Sequence, residues 1–279
     1  MYNVKPRYLI KNTKVNNNYF NFRTLLTTIL LAFIIVSCHK DTEINEVVDK
    51  RFPSPEIVEL FIGDLQVYVS NLNNEPIEDV HVFIYDEEGF TNKFGIVEFE
   101  NIPLDKNGTY IRAIKGDYLF GSDKIFPQGQ SNFTAIKMLP IEKLKKFDPT
   151  NTASIAVDGG GKVDFLANSV IDDSGNLYTD DVFITAYRIN TSDPFLSEKM
   201  PGALLGIDSD NNTKVLETFG MIAVDLRDKD GNELNIKEDA PAEITFPINE
   251  DILEFATDRI PLWYFDEITG NWIEEGFAI

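Results

Sequence analysis

The chain has 279 residues, with 25 Lys plus Arg against 46 Asp plus Glu, a formal net charge of −21, two histidines and one cysteine. That balance excludes nucleic acid as a partner, because binding a polyanion takes a basic stripe that neutralises phosphates. A single cysteine excludes a disulfide framework, and abundant Gly, Asn and Asp between short alternating runs point to β-structure rather than helix.

The first feature in chain order is Leu25 to Val36, a mainly apolar run that ends at Ser37 and Cys38. It is too short to cross roughly 30 Å of hydrocarbon as a permanent helix. Lys5, Arg7, Lys11, Lys14 and Arg23 precede it with no acid, and acids follow directly after it. This is the asymmetry of a segment inserted positive side inward. An uncleaved anchor, or a buried segment with an ordinary free thiol, fits that asymmetry less well.

Ile35-Val36-Ser37-Cys38 resembles the cleavage box of bacterial lipoproteins. The resemblance implies cleavage between Ser37 and Cys38, lipid on the Cys38 thiol and amine, and attachment to the outer membrane through that lipid. Residues 1–37 are then a signal peptide, and the rest carries 20 basic against 46 acidic residues, a net −26. Such a surface repels anionic headgroups, so the hold on the membrane comes from acyl chains, at about 0.8 kcal/mol per buried CH₂.

Residues 38–56 are charged, end in Pro53 and Pro55, and read as a flexible tether. Lys40-Asp41-Thr42-Glu43 resembles the charged signal that sends some lipoproteins to the outer face of the outer membrane, and a solvated linker has the same composition. Both readings stay open.

Residues 57–143 form the first expected domain. Leu65, Val67 and Val69 alternate with polar neighbours, as do Val80, Val82 and Ile84, which predicts two half-buried strands joined by a turn at Asn73-Asn74-Glu75-Pro76. A turn over residues 91–95, a strand from Ile96 to Glu100, a turn at Asn101-Ile102-Pro103 and further strands through Met138 follow. The pieces NNEPIEDVHVFIY, TNKFGIVEFENIP and TYIRAIKGDY resemble the carboxypeptidase regulatory-like domain, a prealbumin-type β-sandwich. The resemblance covers about residues 60–139 and implies a non-catalytic structural module. The chain departs from that pattern at Asn74, where a Gly is usual, and at Asn92 to Gly95, which stretches an Asp-x-x-Gly turn.

Residues 144–152 are polar, hold Pro149 and read as a linker, with helical turns expected over 140–147. Residues 153–279 alternate again and close on the hairpin LWYF-DEITGN-WIEE. The segments SIAVDGGGKVDF, TFGMIAVDLRDKDGNELNI and IPLWYFDEITGNWIEEG are similar to the extracellular β-region of cartilage intermediate layer protein and the astroprincins. That resemblance implies extracellular interaction rather than chemistry, and a domain cut short at Ile279. The expected fold class is therefore all-β, two tandem antiparallel β-sandwich domains after a cleaved signal peptide and short linker.

Catalysis has little to build on. His39 belongs to the tether, and His81 sits on a strand, where a partly buried or surface histidine is the default. No metalloprotease, phosphate-loop or serine-elbow motif occurs. Asp172, Asp173, Asp180, Asp181, Asp208, Asp210, Asp228 and Asp230 invite a carboxylate-based hydrolase, yet nearly all lie in Gly- and Asn-rich turns. Calcium is the second choice for these acids, although Asp208-x-Asp210-x-Asn212 lacks the following Gly and the late Glu of an EF-hand. No cofactor is expected. Trp263, Tyr264 and Trp272 are candidates for stacking on a ligand, and flanking a tight hairpin they read first as cross-strand core partners. The resulting expectation is a lipid-anchored binding or scaffold protein that recognises an extracellular protein or glycan. The alternative is an accessory subunit of an outer-membrane transport or polysaccharide-handling complex.

Overall fold

The computed structural model describes residues 59–142 and 145–278. The signal peptide, Ser37, Cys38 and the tether lie outside them. Among the described residues no helix is long and apolar enough to cross a membrane.

The regular secondary structure of the described residues is nearly all β-strand. In its first half, β1 (Leu60–Ser70), β2 (His81–Ile84), β3 (Glu87–Phe90), β4 (Ile96–Asp105), β5 (Thr109–Ile114), β6 (Gly121–Ile125) and β7 (Ser131–Lys137) form two sheets, ordered β4-β1-β7 and β3-β2-β5-β6. Alternation explains the packing. Leu65, Val67 and Val69 of β1 point the same way and are at most 1% exposed, and they meet Val82, Ile84, Ile111 and Ala113 of the facing sheet. Most pairings are antiparallel, but β1 and β7 run parallel from Asp64↔Ser131 to Ser70↔Lys137.

Two expectations for this half change. The turn expected at Asn101 is a bulge inside β4: Asn101 takes a left-handed φ of 53°, its N–H bonds Asp64 Oδ1 at 2.9 Å, and pairing resumes beyond it. The strand β3 was not expected at all, because Glu87-Glu88-Gly89 has the composition of a loop.

The second half holds β8 (Lys145–Phe147), β9 (Ala153–Ala156), β10 (Lys162–Phe165), β11 (Val170–Ile171), β12 (Val182–Ile189), a one-turn helix α1 (Leu196–Lys199), β13 (Leu205–Ile207), β14 (Thr213–Val215), β15 (Met221–Arg227), β16 (Asn235–Ile236), β17 (Glu243–Thr245), β18 (Ile260–Asp266) and β19 (Asn271–Ala278). The sheets are ordered β17-β10-β9, β11-β16, β15-β12-β8 and β14-β13-β19-β18. The helical turns expected over 140–147 are replaced by β8, which pairs with Val182 to Ile184 of β12, and by a bridge from Pro140 to Tyr118. Short β8 is an edge strand, so pairing with β12 overrides the weak helical preference of Lys145 and Lys146.

Each half buries its own apolar cluster, and a third cluster draws on both. Tyr110, Leu119 and Leu139 of the first half pack with Ile189, Met200, Ala223, Phe265 and Trp272 of the second. Polar contacts complete this seam. The Tyr110 hydroxyl donates to the Glu267 carbonyl at 2.9 Å, Tyr187 to the Pro140 carbonyl at 2.8 Å, and Lys124 Nζ to Asn271 Oδ1 at 2.6 Å. Lys137 at the end of β7, with a side chain 1% exposed, lies 3.6 Å from Glu198 of α1 and 4.5 Å from the Phe195 ring centroid.

Candidate functional site

Five of the eight loop acids are already engaged: Asp181 pairs with Lys146, Asp230 with Lys229, and three others open turns. Asp172, Asp208 and Asp228 each open a five-residue turn closed by two backbone bonds: the first N–H donates to the fifth carbonyl and the fourth N–H to the first carbonyl. One oxygen of the leading carboxylate then accepts the N–H groups of residues three and five, at 2.9 and 2.9 Å for Asp172, 3.0 and 2.7 Å for Asp208, and 2.8 and 2.8 Å for Asp228. Backbone donors from Asn176 and Asn212 hold the Asp172 and Asp208 carboxyls below their ordinary range; at Asp228 burial works the other way, and the Asn232 side chain and backbone outweigh it. Asn71 and Asn92 lead two more copies of the same turn with their amide oxygens. A carboxylate filled this way offers little to calcium and nothing to a glycosidic bond. Among the described residues no group of three or more His, Cys, Asp or Glu side chains is arranged to hold a metal.

The aromatic residues cluster in two places. On the outer face of the first half, register sets Phe90 of β3 beside His81 of β2, and Arg112 of β5 beside Phe83. The His81 ring stacks on Phe90 at 4.3 Å and 16° and lies 3.8 Å from Phe83, while the Arg112 guanidinium sits 5.6 Å from the Phe83 centroid. Glu88, opposite Phe83, bonds His81 Nε2 at 3.0 Å. Phe90 is 59% exposed, so the strip ends in open solvent. His81 is thus held as a surface strand residue. The Phe83–His81–Phe90 strip was hidden in the sequence because it needs β3, whose only cue is the two-residue Tyr85-Asp86 link between β2 and the acid run.

The second cluster gathers the three aromatic candidates of the closing hairpin. Trp263 and Phe265 fall on one face of β18, and register places Trp272 of β19 opposite Phe265, with centroids 5.3 Å apart in an edge-on pair. Gly206 of β13 leaves the room that Trp263 needs, since a Cβ there would lie 2.5 Å from the indole ring. Trp272 is 6% exposed and Trp263 half-buried. Trp263, Tyr264 and Trp272 all contribute to the wall of one half-open recess of about 160 Å³, lined on the other side by Leu216 to Val224 and by Phe246. Trp272 Nε1 is buried with no hydrogen-bond partner.

No family model matches the chain, and no curated protein matches it. Among solved structures it is similar to the TIE protein of Bacillus anthracis, at 12% identity and a TM-score of 0.26 over 68% of this chain and 46% of that one. It is also similar to the shaft pilin SpaA of Lactobacillus rhamnosus GG, at 10% identity and a TM-score of 0.25 over 78% of this chain and 100% of that one. The chain therefore spans about half the length of the first of these, and likeness at this level carries no activity or ligand across.

Proposed function

We propose that this chain is a non-catalytic binding protein of the cell surface, held to the outer membrane by lipid on Cys38 and recognising an extracellular glycan or protein through the Phe83–His81–Phe90 strip. The observation that carries the proposal is the strip itself: three adjoining rings, His81 tilted against Phe83 at 3.8 Å and stacked on Phe90 at 4.3 Å, running out to a phenylalanine that is 59% exposed. Adjoining aromatic rings on a sheet face offer a stacking surface to a sugar ring or an aromatic side chain. The flanking Glu88 supplies an acceptor for hydroxyl or amide donors beside the rings. The filled turn carboxylates argue against the hydrolase reading and leave the loops a structural role.

Two measurements test this. Metabolic labelling with a clickable palmitate should mark the wild-type chain and leave Cys38→Ala unmarked; an unmarked wild type overturns the anchor. Neutral oligosaccharides and extracellular proteins arrayed on glass should retain the wild-type chain and lose Phe90→Ala and His81→Ala by about tenfold, the value of roughly 1.4 kcal/mol of stacking. Equal retention of wild type and both variants removes the strip from recognition.

A further inference from the structure

The half-open recess beside the closing hairpin runs along two sheet edges. β15 ends one sheet and β18 ends another. The wall takes four consecutive residues from β15, Met221 to Val224, and six from β18, Ile260 to Phe265. Neighbouring side chains on a strand point to opposite faces, so an unbroken run in the wall places the recess along the edge rather than against one face. A free edge carries a row of N–H and C=O groups on which another strand can pair. β18 is blunted by Pro261, which has no N–H, and by a register break between Leu262 and Trp263. β15 has no such guard. Its pairing with β12 keeps register from Met221 to Arg227, and Met221 to Val224 hold no proline, glycine or charge. The return from the Asp228 turn covers only the far end, where the Leu234 N–H donates to the Leu226 carbonyl at 2.8 Å. Among the described residues no other strand pairs with the outer edge of Met221 to Val224. Exposed Glu217 stands at the rim, and the chain carries a net −21, so the surroundings favour a cationic partner.

We infer that β15 is a docking edge: an extended segment of a partner protein, apolar at alternate positions and flanked by Lys or Arg, adds to it as a new outer strand. The backbone of that segment pairs with Met221 to Val224. Its apolar side chains enter the recess on the side that Met221 and Ala223 share with Trp263, and its basic residues meet Glu217 at the rim. A half-open shape suits this occupant, because an added strand has to lie along the edge with its other side outward. The inference depends neither on the anchor nor on the strip.

The chain has two tryptophans, and both stand in this wall, so intrinsic fluorescence of the purified full-length protein reports on the recess. The probe is the peptide acetyl-Lys-Val-Thr-Val-Thr-Val-Lys-amide. One control carries the same side chains with every internal amide N-methylated, and a second replaces both lysines by glutamates. The lysine peptide should change the emission saturably, raise the melting temperature and slow hydrogen exchange within Met221 to Asp225. The N-methylated copy should bind at least tenfold more weakly, since it cannot donate to the edge, and the glutamate copy about three- to tenfold more weakly. Met221→Lys sets a charge on the edge and should abolish binding while the protein still melts cooperatively; the exchange pattern of the wild type tests the site without any variant. No saturable response to the lysine peptide, equal binding of the N-methylated copy, or exchange slowed at Glu87 to Phe90 of β3 instead of at β15 overturns the docking edge. Equal binding of the glutamate copy overturns the basic character of the partner. A wild-type dimer with β15 amides already protected, and a monomeric Met221→Lys, would give the edge to a second copy of this chain and overturn the separate partner.

Discussion

At Gly270 the seam between the halves has no room for a single methyl group. The residue takes φ +66°, and a Cβ added there would fall 2.5 Å from the Tyr110 ring. Gly270→Ala therefore combines backbone strain with a clash against a buried aromatic, and is expected to cost about 2 kcal/mol or more, lowering the melting temperature by roughly 4–8 °C in a thermal scan. A second residue-scale prediction concerns Asp123 on β6. Burial pushes its carboxyl above the ordinary value of 3.8, against bonds from Thr134 and the Lys124 backbone. The folded state thus holds this proton more tightly than the unfolded state. Stability from this group is complete below the ordinary carboxylate value and falls as pH rises through the raised one. Asp123→Asn should melt higher than wild type at pH 7, and the difference should shrink to nothing in acid; a difference independent of pH would show that the buried charge is not its cause.

At the scale of the element, one turn recurs five times among the described residues. Position four carries a left-handed residue in all five copies: Asn74 at φ 64°, Gly95 at 72°, Gly175 at 81°, Asn211 at 63° and Gly231 at 90°. Asn substitutes for Gly there because its short polar side chain tolerates that conformation. Gly231→Asn is accordingly expected to cost no more than about 0.5 kcal/mol, whereas Gly231→Val should cost about 2 kcal/mol or more, both read from chemical denaturation. Asp228→Ala strips the turn of its acceptor and should cost about 1 kcal/mol. Much of this was legible in the sequence, since an Asx followed three residues on by Gly or Asn between alternating runs marks a turn with its mechanism attached. The departures noted at Asn74 and Asn92 are two copies of the common turn. What escaped the reading was decided by distant partners: β3 and β8 have poor intrinsic preference and exist through pairing with β2 and β12, and the bulge at Asn101 is fixed by Asp64 on another strand. The aromatic hairpin was visible as a cluster, but its recess depends on Gly206, Phe246 and Met221, which are far apart in sequence.

For the whole molecule, the third cluster makes the two halves one cooperative body. Tyr110, 1% exposed, is its hinge pin, touching Gly270, Phe265 and the Glu267 carbonyl. Wild type is expected to unfold in one calorimetric transition. Tyr110→Ala should lose about 3–5 kcal/mol and separate that transition into two, because each half keeps its own apolar cluster. A single transition in the variant would show that neither half stands alone. The parallel pairing of β1 with β7 has a mechanical consequence. Tension that enters the fold at Leu60 and leaves it at Lys137 pulls these two neighbours lengthwise past each other, because the loaded ends lie at opposite tips of the pair. All seven matched positions from Asp64↔Ser131 to Ser70↔Lys137 then resist at once, in shear, where an antiparallel pair loaded through adjacent ends would peel open one rung at a time.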